Sequence, residues 1–214
     1  MRILFITYSI KENNGVGSAR SRMLYNMLYK KGHDITLVSD EIFSCKSILY
    51  YIIFKKYDIV YFSGPPYSSY LITILFLTFV RNIKLLLDFR DAWSLNIKNG
   101  YGTGICNSKS KIKLYIVSMI EKILYRKCFK FVVCTEGMYE EYSKLFNETK
   151  KLLLVENGHE YNLADFNNFR NKFNSIITFI CIGQFFSYNF NKSVNIMKKL
   201  NDFSDKNNIR VIFV

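Results

Sequence analysis

The sequence predicts an α/β fold, a Rossmann-like doubly wound parallel sheet, and two observations carry this prediction. Short apolar runs typical of buried strands alternate along the chain with segments of 3.6-residue hydrophobic period, which are typical of helices. Strands separated by helices imply right-handed crossovers and a parallel sheet with helices on both faces. The same alternation begins again near the end of the chain, which indicates a second unit of the same kind.

The first part of the chain contains six predicted strands and five predicted helices. The strands are expected at residues 2–8, 34–39, 58–62, 84–89, 130–134 and 151–155. The helices are expected at residues 18–31, 42–55, 67–80, 109–127 and 137–146. Gly32 is expected at the C′ position that ends the first helix.

The order of the strands decides which loops line a ligand site. We expect the Rossmann order 3-2-1-4-5-6, in which the carboxyl ends of the first and fourth strands flank the binding crevice. The loops that follow these two strands are residues 9–17 and 89–94. The polar and glycine-rich features of the chain fall in these loops, so we predict a binding site there.

The end of the chain predicts the start of a second Rossmann-like domain. Residues 176–182 are typical of its opening strand, and residues 209–214 are typical of a second buried strand. Two strands and one helix are too few for a parallel sheet, which is covered by helices on both faces. We therefore expect a first domain at residues 1–165, a linker at residues 166–175 and a truncated second domain at residues 176–214.

Composition limits the class of protein. Half of the residues are hydrophobic, which excludes wholesale disorder, and the net charge of +13 favours anionic partners. Five cysteines without Cys-x-x-Cys spacing indicate a reduced, cytoplasmic protein with no disulfide framework and no metal site. The longest apolar run, residues 70–80, is well short of the ~20 residues that cross a bilayer, so we expect a buried helix there.

A glycine-containing loop precedes the first helix. Gly15 and Gly17 allow close approach of the backbone to a ligand, and Arg20 one turn later offers a guanidinium to a phosphate or carboxylate. The alternative is an ordinary loop capped by Ser18. A dinucleotide fingerprint is disfavoured because Arg20 replaces its third glycine and the loop is too long, although Asp40 ends the second strand where a ribose-binding acid would lie.

Charged residues cluster at the end of the fourth strand. Asp88, Arg90 and Asp91 follow a buried apolar run, and such charges are costly unless they are paired or functional. Asp91 is the best candidate to face the crevice, whereas Asp88 and Arg90 are alternatively an internal ion pair. Glu136, after the fifth strand, either caps its own helix or binds a sugar hydroxyl.

The predicted helix at residues 109–127 is amphipathic and basic. Its apolar stripe consists of Ile112, Tyr115, Ile116, Met119, Ile120, Ile123 and Leu124, and lysines flank it. In an α/β domain such a stripe packs on the sheet, which is the reading we favour. The alternative is adhesion of the basic flank and nearby aromatic residues to an anionic membrane.

Several motifs acquire meaning through their order and spacing. They are the strand, glycine loop and Gly-His-Asp-Ile-Thr-Leu-Val turn within residues 1–40, the segment from Asp58 to Pro66, the Asp-Phe-Arg-Asp-Ala-Trp run at residues 88–93, the segments at residues 121–126 and 132–138, and Val-Glu-Asn-Gly at residues 155–158. In this order they resemble the GT-B glycosyltransferases, specifically the family 4 group of retaining enzymes, over nearly the whole chain.

This resemblance implies a function and a set of roles. It implies transfer of a sugar from a nucleotide-sugar donor to a lipid-linked or polysaccharide acceptor in cell-surface glycan synthesis, with retained configuration and no cofactor or obligatory metal. The implied partners are the donor and the acceptor, with peripheral contact to an anionic membrane at the cytoplasmic face and no nucleic acid. The implied site residues are Gly15 and Gly17 near the diphosphate, Asp91 as the catalytic residue, Arg20, Arg90, Glu136, Asn157 and Gly158 for substrate, and Gly183 and Lys192 for the donor.

The sequence also departs from the family pattern. Gln184 follows Gly183 where the family usually has a basic residue, and Arg90-Asp91 replaces a His-Asp pair. Lys192 matches the family's diphosphate-binding lysine only if a few extra residues are allowed between Gly183 and Lys192. The family's paired-glutamate motif would lie beyond residue 214. A non-catalytic remnant or another Rossmann-type nucleotide-binding protein therefore remains the alternative function.

Overall fold

The computed structural model describes residues 1–11, 16–80, 82–98, 108–158, 177–181, 190–207 and 209–213. The six predicted strands of the first part are present as β1 (Arg2–Thr7), β2 (Asp34–Val38), β3 (Ile59–Gly64), β4 (Leu85–Phe89), β5 (Lys130–Val133) and β6 (Leu152–Leu154). The helices are α1 (Val16–Lys30), α2 (Cys45–Phe54), α3 (Ser68–Val80), α4 (Trp93–Lys98), α5 (Ser108–Lys127) and α6 (Glu136–Phe146). The short helix α4 was not predicted, and neither was the 3-10 helix at Asp40–Ile42.

The six strands form one parallel sheet in the order β2-β1-β3-β4-β5-β6. The α/β Rossmann-like fold class is therefore confirmed, but the predicted order 3-2-1-4-5-6 is wrong. The third strand pairs with β1 rather than with β2, so the direction of winding reverses between β1 and β3. The carboxyl ends of β1 and β4 are consequently separated by the end of β3 and are not neighbours.

The end of α1 shows how local sequence sets an element boundary. Gly32 has a φ of 75°, which favours glycine, and its N–H donates to the carbonyl of Tyr29 at 2.9 Å. The N–H of His33 donates to the carbonyl of Leu28 at 3.3 Å, which completes a Schellman motif. The predicted position of Gly32 is thus confirmed, and the chain turns directly into β2.

The two faces of the sheet differ in what covers them. Alternate strand residues such as Leu4, Phe62, Leu87 and Phe131 belong to one apolar core, which also contains side chains of α2, α3, α5 and α6. The intervening strand residues point to the other face, where the Phe5 ring contacts Tyr25 of α1 with ring centroids 5.9 Å apart. Asp88 lies on this second face because it alternates with Leu87 and Phe89.

Aromatic rings dominate the core beneath α5 and α6. The fully buried ring of Phe131 has its centroid 4.5 Å from that of Phe89 and 5.2 Å from those of Tyr142 and Phe146. Such offset and edge contacts add to the free energy of burying the rings. Cys134, directly after β5, is buried and adds a small apolar side chain at this end of the sheet.

Two sequence expectations about burial need correction. Only part of the α5 stripe packs on the sheet as expected. Leu124 is fully buried and Ile120 packs against the core, whereas Ile112, Tyr115, Ile116 and Met119 are exposed. Helix α3, expected to be buried, places Leu71, Ile74 and Leu77 in the core but exposes Ile72, Phe76 and Phe79. None of the described helices combines the length and the hydropathy required to span a bilayer.

The remaining described residues form a second compact unit with its own two-stranded sheet. Strands β7 (Thr178–Cys181) and β8 (Arg210–Phe213) pair in parallel, and helix α7 (Phe190–Asn207) lies between them in sequence. The predicted strands at residues 176–182 and 209–214 are therefore confirmed. The proposed domain boundaries stay a prediction, since residues 159–176 lie outside the described residues.

Two phenylalanines two positions apart provide a matched test of the core. Phe131→Ala should lower the free energy of unfolding by roughly 3–5 kcal/mol, because it removes a fully buried ring and leaves a cavity. Phe129→Ala, at a side chain that is 53% exposed, should change it by about 0.5 kcal/mol or less. Urea denaturation followed by circular dichroism measures both values, and similar losses in the two variants would contradict the assigned packing.

Candidate functional site

Six parallel strands end at one edge of the sheet, and most of the predicted site residues lie there. Arg90 and Asp91 directly follow β4, Glu136 begins α6 after β5, and Asn157 and Gly158 follow β6. Arg20 lies in the second turn of α1, which enters from the same edge. In parallel α/β sheets ligands bind at this edge, beyond the carboxyl ends of the strands.

A buried ion pair joins α1 to the middle of the sheet. The Nε and Nη2 atoms of Arg20 donate to the two carboxylate oxygens of Asp88, each at 3.0 Å. The Tyr61 hydroxyl on β3 donates to Oδ2 of the same carboxylate at 2.5 Å. The Asp88 side chain is 2% exposed and that of Arg20 is 11% exposed, so this two-pronged pair is shielded from water.

The pair shifts the pKa values of its partners. Burial and the neighbouring Asp88 carboxylate both raise the pKa of Tyr61 well above its ordinary value, so the phenol stays protonated and donating. Burial alone would lower the pKa of Arg20, but the hydrogen bonds and charge of Asp88 outweigh it and raise that pKa. Arg20 therefore stays charged at every physiological pH.

The same arginine also secures the segment after β6. Its Nη1 donates to the carbonyl oxygens of Val155 and Glu156 at 2.9 and 3.0 Å, and to Oδ1 of Asn157 at 3.2 Å. Next to it, a Cβ at Gly158 would lie 3.2 Å from the Cε of Met23 on α1, which is a tight contact. The structure thus brings together Arg20, Asn157 and Gly158, with the guanidinium bound to the protein itself. Its predicted role toward substrate phosphate stays a prediction.

Arg90 does not pair with Asp88, so the alternative of an internal Asp88–Arg90 ion pair is wrong. Its Nε donates to the carbonyl of Gly64 at 3.0 Å, and its Nη2 donates to the carbonyl of Pro65 at 3.2 Å. Its own carbonyl accepts a hydrogen bond from the Cys134 thiol at 3.0 Å. Arg90 therefore links the ends of β3, β4 and β5.

The Asp91 side chain is exposed, while its backbone is held in place by the buried Tyr67. The Tyr67 hydroxyl donates to the backbone carbonyl of Asp91 and accepts from its N–H at 3.3 Å. The Tyr67 ring stacks between Phe89 and Trp93, with centroid separations of 4.7 and 5.6 Å. The Asp91 side chain is exposed, and its carboxylate makes no ion pair or hydrogen bond with the part of the chain that the structure describes.

The position of the Tyr67 ring requires glycine at position 64. A Cβ built on Gly64 would lie 2.1 Å from Cε1 of Tyr67, so any other residue would displace the ring. Burial, and then the nearby Asp91 carboxylate, raise the pKa of Tyr67 well above its ordinary value, so its hydroxyl keeps the proton that it donates. Sequence reasoning did not identify Tyr67, although the aromatic residue three positions after a strand-ending glycine was a usable signal.

A buried acid holds the helix that follows Asp91. The carboxylate oxygen Oε1 of Glu121 on α5 accepts from the N–H of Ser94 at 3.1 Å and from the Tyr142 hydroxyl at 2.8 Å. Burial raises the pKa of Glu121. Its second oxygen, Oε2, is buried without a hydrogen-bond partner among the described residues. The hydrogen bonds from Ser94 and Tyr142 partly oppose this rise in pKa, and they connect α5 to the first turn of α4.

Glu136 and Asp40 have different surroundings. The N-cap of α6 is Thr135, whose hydroxyl accepts from the N–H of Met138 at 3.2 Å, so Glu136 is the first helical residue and its side chain is exposed. The Asp40 carboxylate accepts from the Ser9 hydroxyl at 2.6 Å and from the N–H of Ile10 at 3.3 Å. Although partial burial opposes it, these hydrogen bonds lower the pKa of Asp40, which holds the loop after β1 against the end of β2.

Some predicted residues cannot be placed. Gly15 and Gly183 lie outside the described residues, as does the side chain of Lys192, whose backbone belongs to α7. Gly17 lies in the first turn of α1. Within the described ranges, no group of three or more His, Cys, Asp or Glu side chains is arranged to hold a metal ion.

Comparison with known proteins addresses the fold. No family model and no curated protein matches the sequence. Over 100% of its length the chain is similar to an alpha-glucosyltransferase in complex with UDP and a 13-mer DNA containing an HMU base, with 12% identity and a TM-score of 0.52. The fold is that of the Rossmann-like GT-B glycosyltransferases. Anabaena Alr3699/HepE in complex with UDP and glucose is similar at 11% identity and a TM-score of 0.49. The chain covers 66% and 69% of these two proteins, respectively.

Removal of one partner tests how much the buried Arg20–Asp88 ion pair contributes to stability. Arg20→Met should lower the free energy of unfolding by about 3–5 kcal/mol, because the Asp88 carboxylate stays buried without its cation. The double variant Arg20→Met/Asp88→Leu should recover most of this loss, since neither charge remains. Urea unfolding of the singles and the double gives the coupling energy, with Arg126→Met at an exposed position as control. A double variant as unstable as the sum of the singles would refute the coupling.

Glu121 should make stability depend on pH. Because its folded pKa is raised above the ordinary value of 4.5, the folded state holds the proton to higher pH than the unfolded chain does. Its contribution to stability is present below 4.5 and is lost as pH rises through the folded pKa. Glu121→Gln retains an acceptor oxygen without the charge. The free energy of unfolding of Glu121→Gln minus that of the wild type should therefore increase as pH rises from 4.5 through the folded pKa. Urea denaturation at several pH values measures this difference, and a difference that stays constant would contradict a raised pKa.

Proposed function

We propose that the chain is a glycosyltransferase of the retaining, family 4 type, and that its first unit binds the acceptor. The observation that carries the proposal is Asp91, an exposed carboxylate held by its backbone at the carboxyl edge of a parallel sheet. Because the backbone of Asp91 is already ordered, its carboxylate can accept hydrogen bonds from sugar hydroxyls without the cost of ordering the loop on binding. The resemblance of the motifs and the shared GT-B fold support the same conclusion.

The proposed reaction transfers a sugar to an acceptor hydroxyl. The acceptor oxygen forms a bond to the anomeric carbon, and the bond from that carbon to the diphosphate oxygen breaks. The nucleoside diphosphate leaves with the electron pair, and the hydroxyl proton ends on the diphosphate or in solvent, so no further reactant is consumed. Negative charge develops on the leaving diphosphate, and helix N-termini and basic side chains stabilise such charge.

The described residues have distinct proposed roles in this reaction. Asp91 orients the acceptor or the transferred sugar, and Glu136, exposed after the neighbouring strand β5, provides a second acceptor for hydroxyl protons. Arg20 acts indirectly, because its donors hold Asp88 and the segment that contains Asn157. Gly15 and Gly17 near the diphosphate, and Gly183 and Lys192 on the donor side, keep the roles implied by the family resemblance.

UDP-sugars are the first donors to test, since UDP is bound by the similar alpha-glucosyltransferase. We propose a glycan or a lipid-linked sugar of the cell surface as acceptor. The alternative, a non-catalytic remnant, predicts neither transfer nor donor hydrolysis. The chain's net charge of +13 is compatible with phosphorylated substrates of either kind.

Transfer of label from a panel of radiolabelled nucleotide sugars to cell-envelope glycan and lipid extracts tests the proposal. We expect transfer with one donor, retained configuration at the anomeric carbon by NMR, and a loss of about 10²-fold or more in Asp91→Asn, as is typical when a transition-state contact is removed. Asp202→Asn, an equally exposed acid on α7, is the matched control and should keep full activity. Neither transfer nor hydrolysis with any donor would favour the non-catalytic alternative.

A further inference from the structure

Helix α5 has two apolar faces, and only one of them is used in the core. Val117, Leu124 and Tyr125 are buried against the sheet together with Glu121. Ile112, Tyr115, Ile116 and Met119 are exposed, with exposed fractions between 46% and 67%. At about 100° per residue these four side chains project from the side of the helix opposite to Glu121. The outward side therefore carries four exposed apolar side chains, with Arg126 following on the same side seven residues after Met119.

The neighbouring helix α3 repeats this arrangement. Leu71, Ile74 and Leu77 are fully buried, whereas Ile72, Phe76 and Phe79 are 53–63% exposed and share one side of the helix at spacings of four and three residues. Helices α3 and α5 contact each other on the same face of the sheet, and the Nζ of Lys127 lies 4.8 Å from the centroid of the Phe79 ring. The outward apolar sides of the two helices, called here the α3–α5 surface, thus adjoin.

The exposed charges that α3 and α5 contribute to the α3–α5 surface have a single sign. Exposed basic residues of α5 flank its outward apolar side, and they are Lys111, Lys113, Lys122, Arg126 and Lys127. Helix α3 contains no acid, and the only acid of α5 is the fully buried Glu121. An exposed apolar patch can mark an interaction site. Here every exposed charge that α3 and α5 contribute beside the patch is cationic, although Glu148, beyond α6, lines one pocket together with Lys122 and Arg126.

We infer that the α3–α5 surface docks on an anionic membrane, with its apolar side chains in the interfacial region and its basic residues at the lipid headgroups. A helix that presents an apolar side between lysines lies in the plane of such an interface. A second copy of the chain is a poorer occupant, because face-to-face packing would bring two lysine rims together. The inference does not depend on the proposed sugar transfer, because lipid binding is measured without substrates.

Sedimentation of the 214-residue chain with vesicles tests the inference directly. We expect binding to phosphatidylcholine vesicles that contain about one-third phosphatidylglycerol, weak binding to pure phosphatidylcholine, and release by high salt, as for other basic interfacial segments. Lys113→Glu/Lys122→Glu should weaken partitioning by about 25-fold or more, since each lysine near an anionic surface contributes roughly fivefold. The control Lys30→Glu/Lys31→Glu on the exposed end of α1 has the same charge change and should alter binding by less than about threefold.

Apolar insertion is tested separately from charge. Phe76→Asp/Ile116→Asp should abolish most vesicle binding, whereas Tyr29→Asp/Phe203→Asp, at exposed positions on α1 and α7, should retain it. All four positions are exposed, so folding is expected to persist, which circular dichroism verifies. Equal binding to neutral and anionic vesicles would overturn the inference. So would an equal loss of binding in a test double variant and its control double variant. A stable dimer that only Phe76→Asp/Ile116→Asp disrupts would overturn it as well.

Discussion

The buried pair of Arg20 and Asp88 is the interaction on which the candidate site depends. A parallel sheet supplies strand ends at one edge but does not by itself fix the loops that follow them. Here the Arg20 guanidinium donates two hydrogen bonds to Asp88 of β4 and further hydrogen bonds to the segment after β6. A single side chain of α1 therefore aligns elements that are far apart in sequence. Because the pair is shielded from water, its geometry is maintained with little competition from solvent.

A second group of contacts holds the loop after β4, which contains Asp91. Arg90 bonds the carbonyls at the end of β3, Tyr67 bonds the backbone of Asp91, and Glu121 bonds the first turn of α4. Each contact is made by a buried or half-buried side chain to backbone groups, so the loop after β4 is held on several sides while its carboxylate remains in water. The position of the loop is thus preorganised, and only the exposed Asp91 side chain has to be ordered on binding.

Sequence patterns predicted the elements well because each strand and helix of the first unit has a clear apolar period and a clear boundary, such as Gly32 after α1. The strand order was not predictable from the same information. Orders 3-2-1-4-5-6 and 2-1-3-4-5-6 have the same succession of buried strands and amphipathic helices, and both obey right-handed crossovers. The choice between them depends on packing across the sheet, including the contact of Phe5 with Tyr61 on β1 and β3, whose ring centroids are 4.4 Å apart.

The site was predicted in location but not in its pairing. Asp88 and Arg90 are two residues apart, so an ion pair between them was a natural expectation, yet strand alternation alone does not reveal that Arg20 is available from 68 positions away. Position along a strand specifies the face of a side chain, whereas its partner depends on which helix covers that face. Tyr61 illustrates the same limit, because in the sequence it resembles any aromatic residue of a buried strand.

Helix α5 shows why periodicity failed for one face and what that failure means. Its most continuous apolar stripe includes Ile112, Ile116 and Met119, and a search for the core side naturally selects it. The true core side contains Glu121, which is tolerated there because its carboxyl bonds the N–H of Ser94 and the hydroxyl of Tyr142. A helix that accepts an acid inside the core while it keeps a cleaner apolar stripe outside has a sequence that folding alone does not explain. The exposed apolar side chains together with the basic residues of α5 are the observations on which the inferred membrane docking rests.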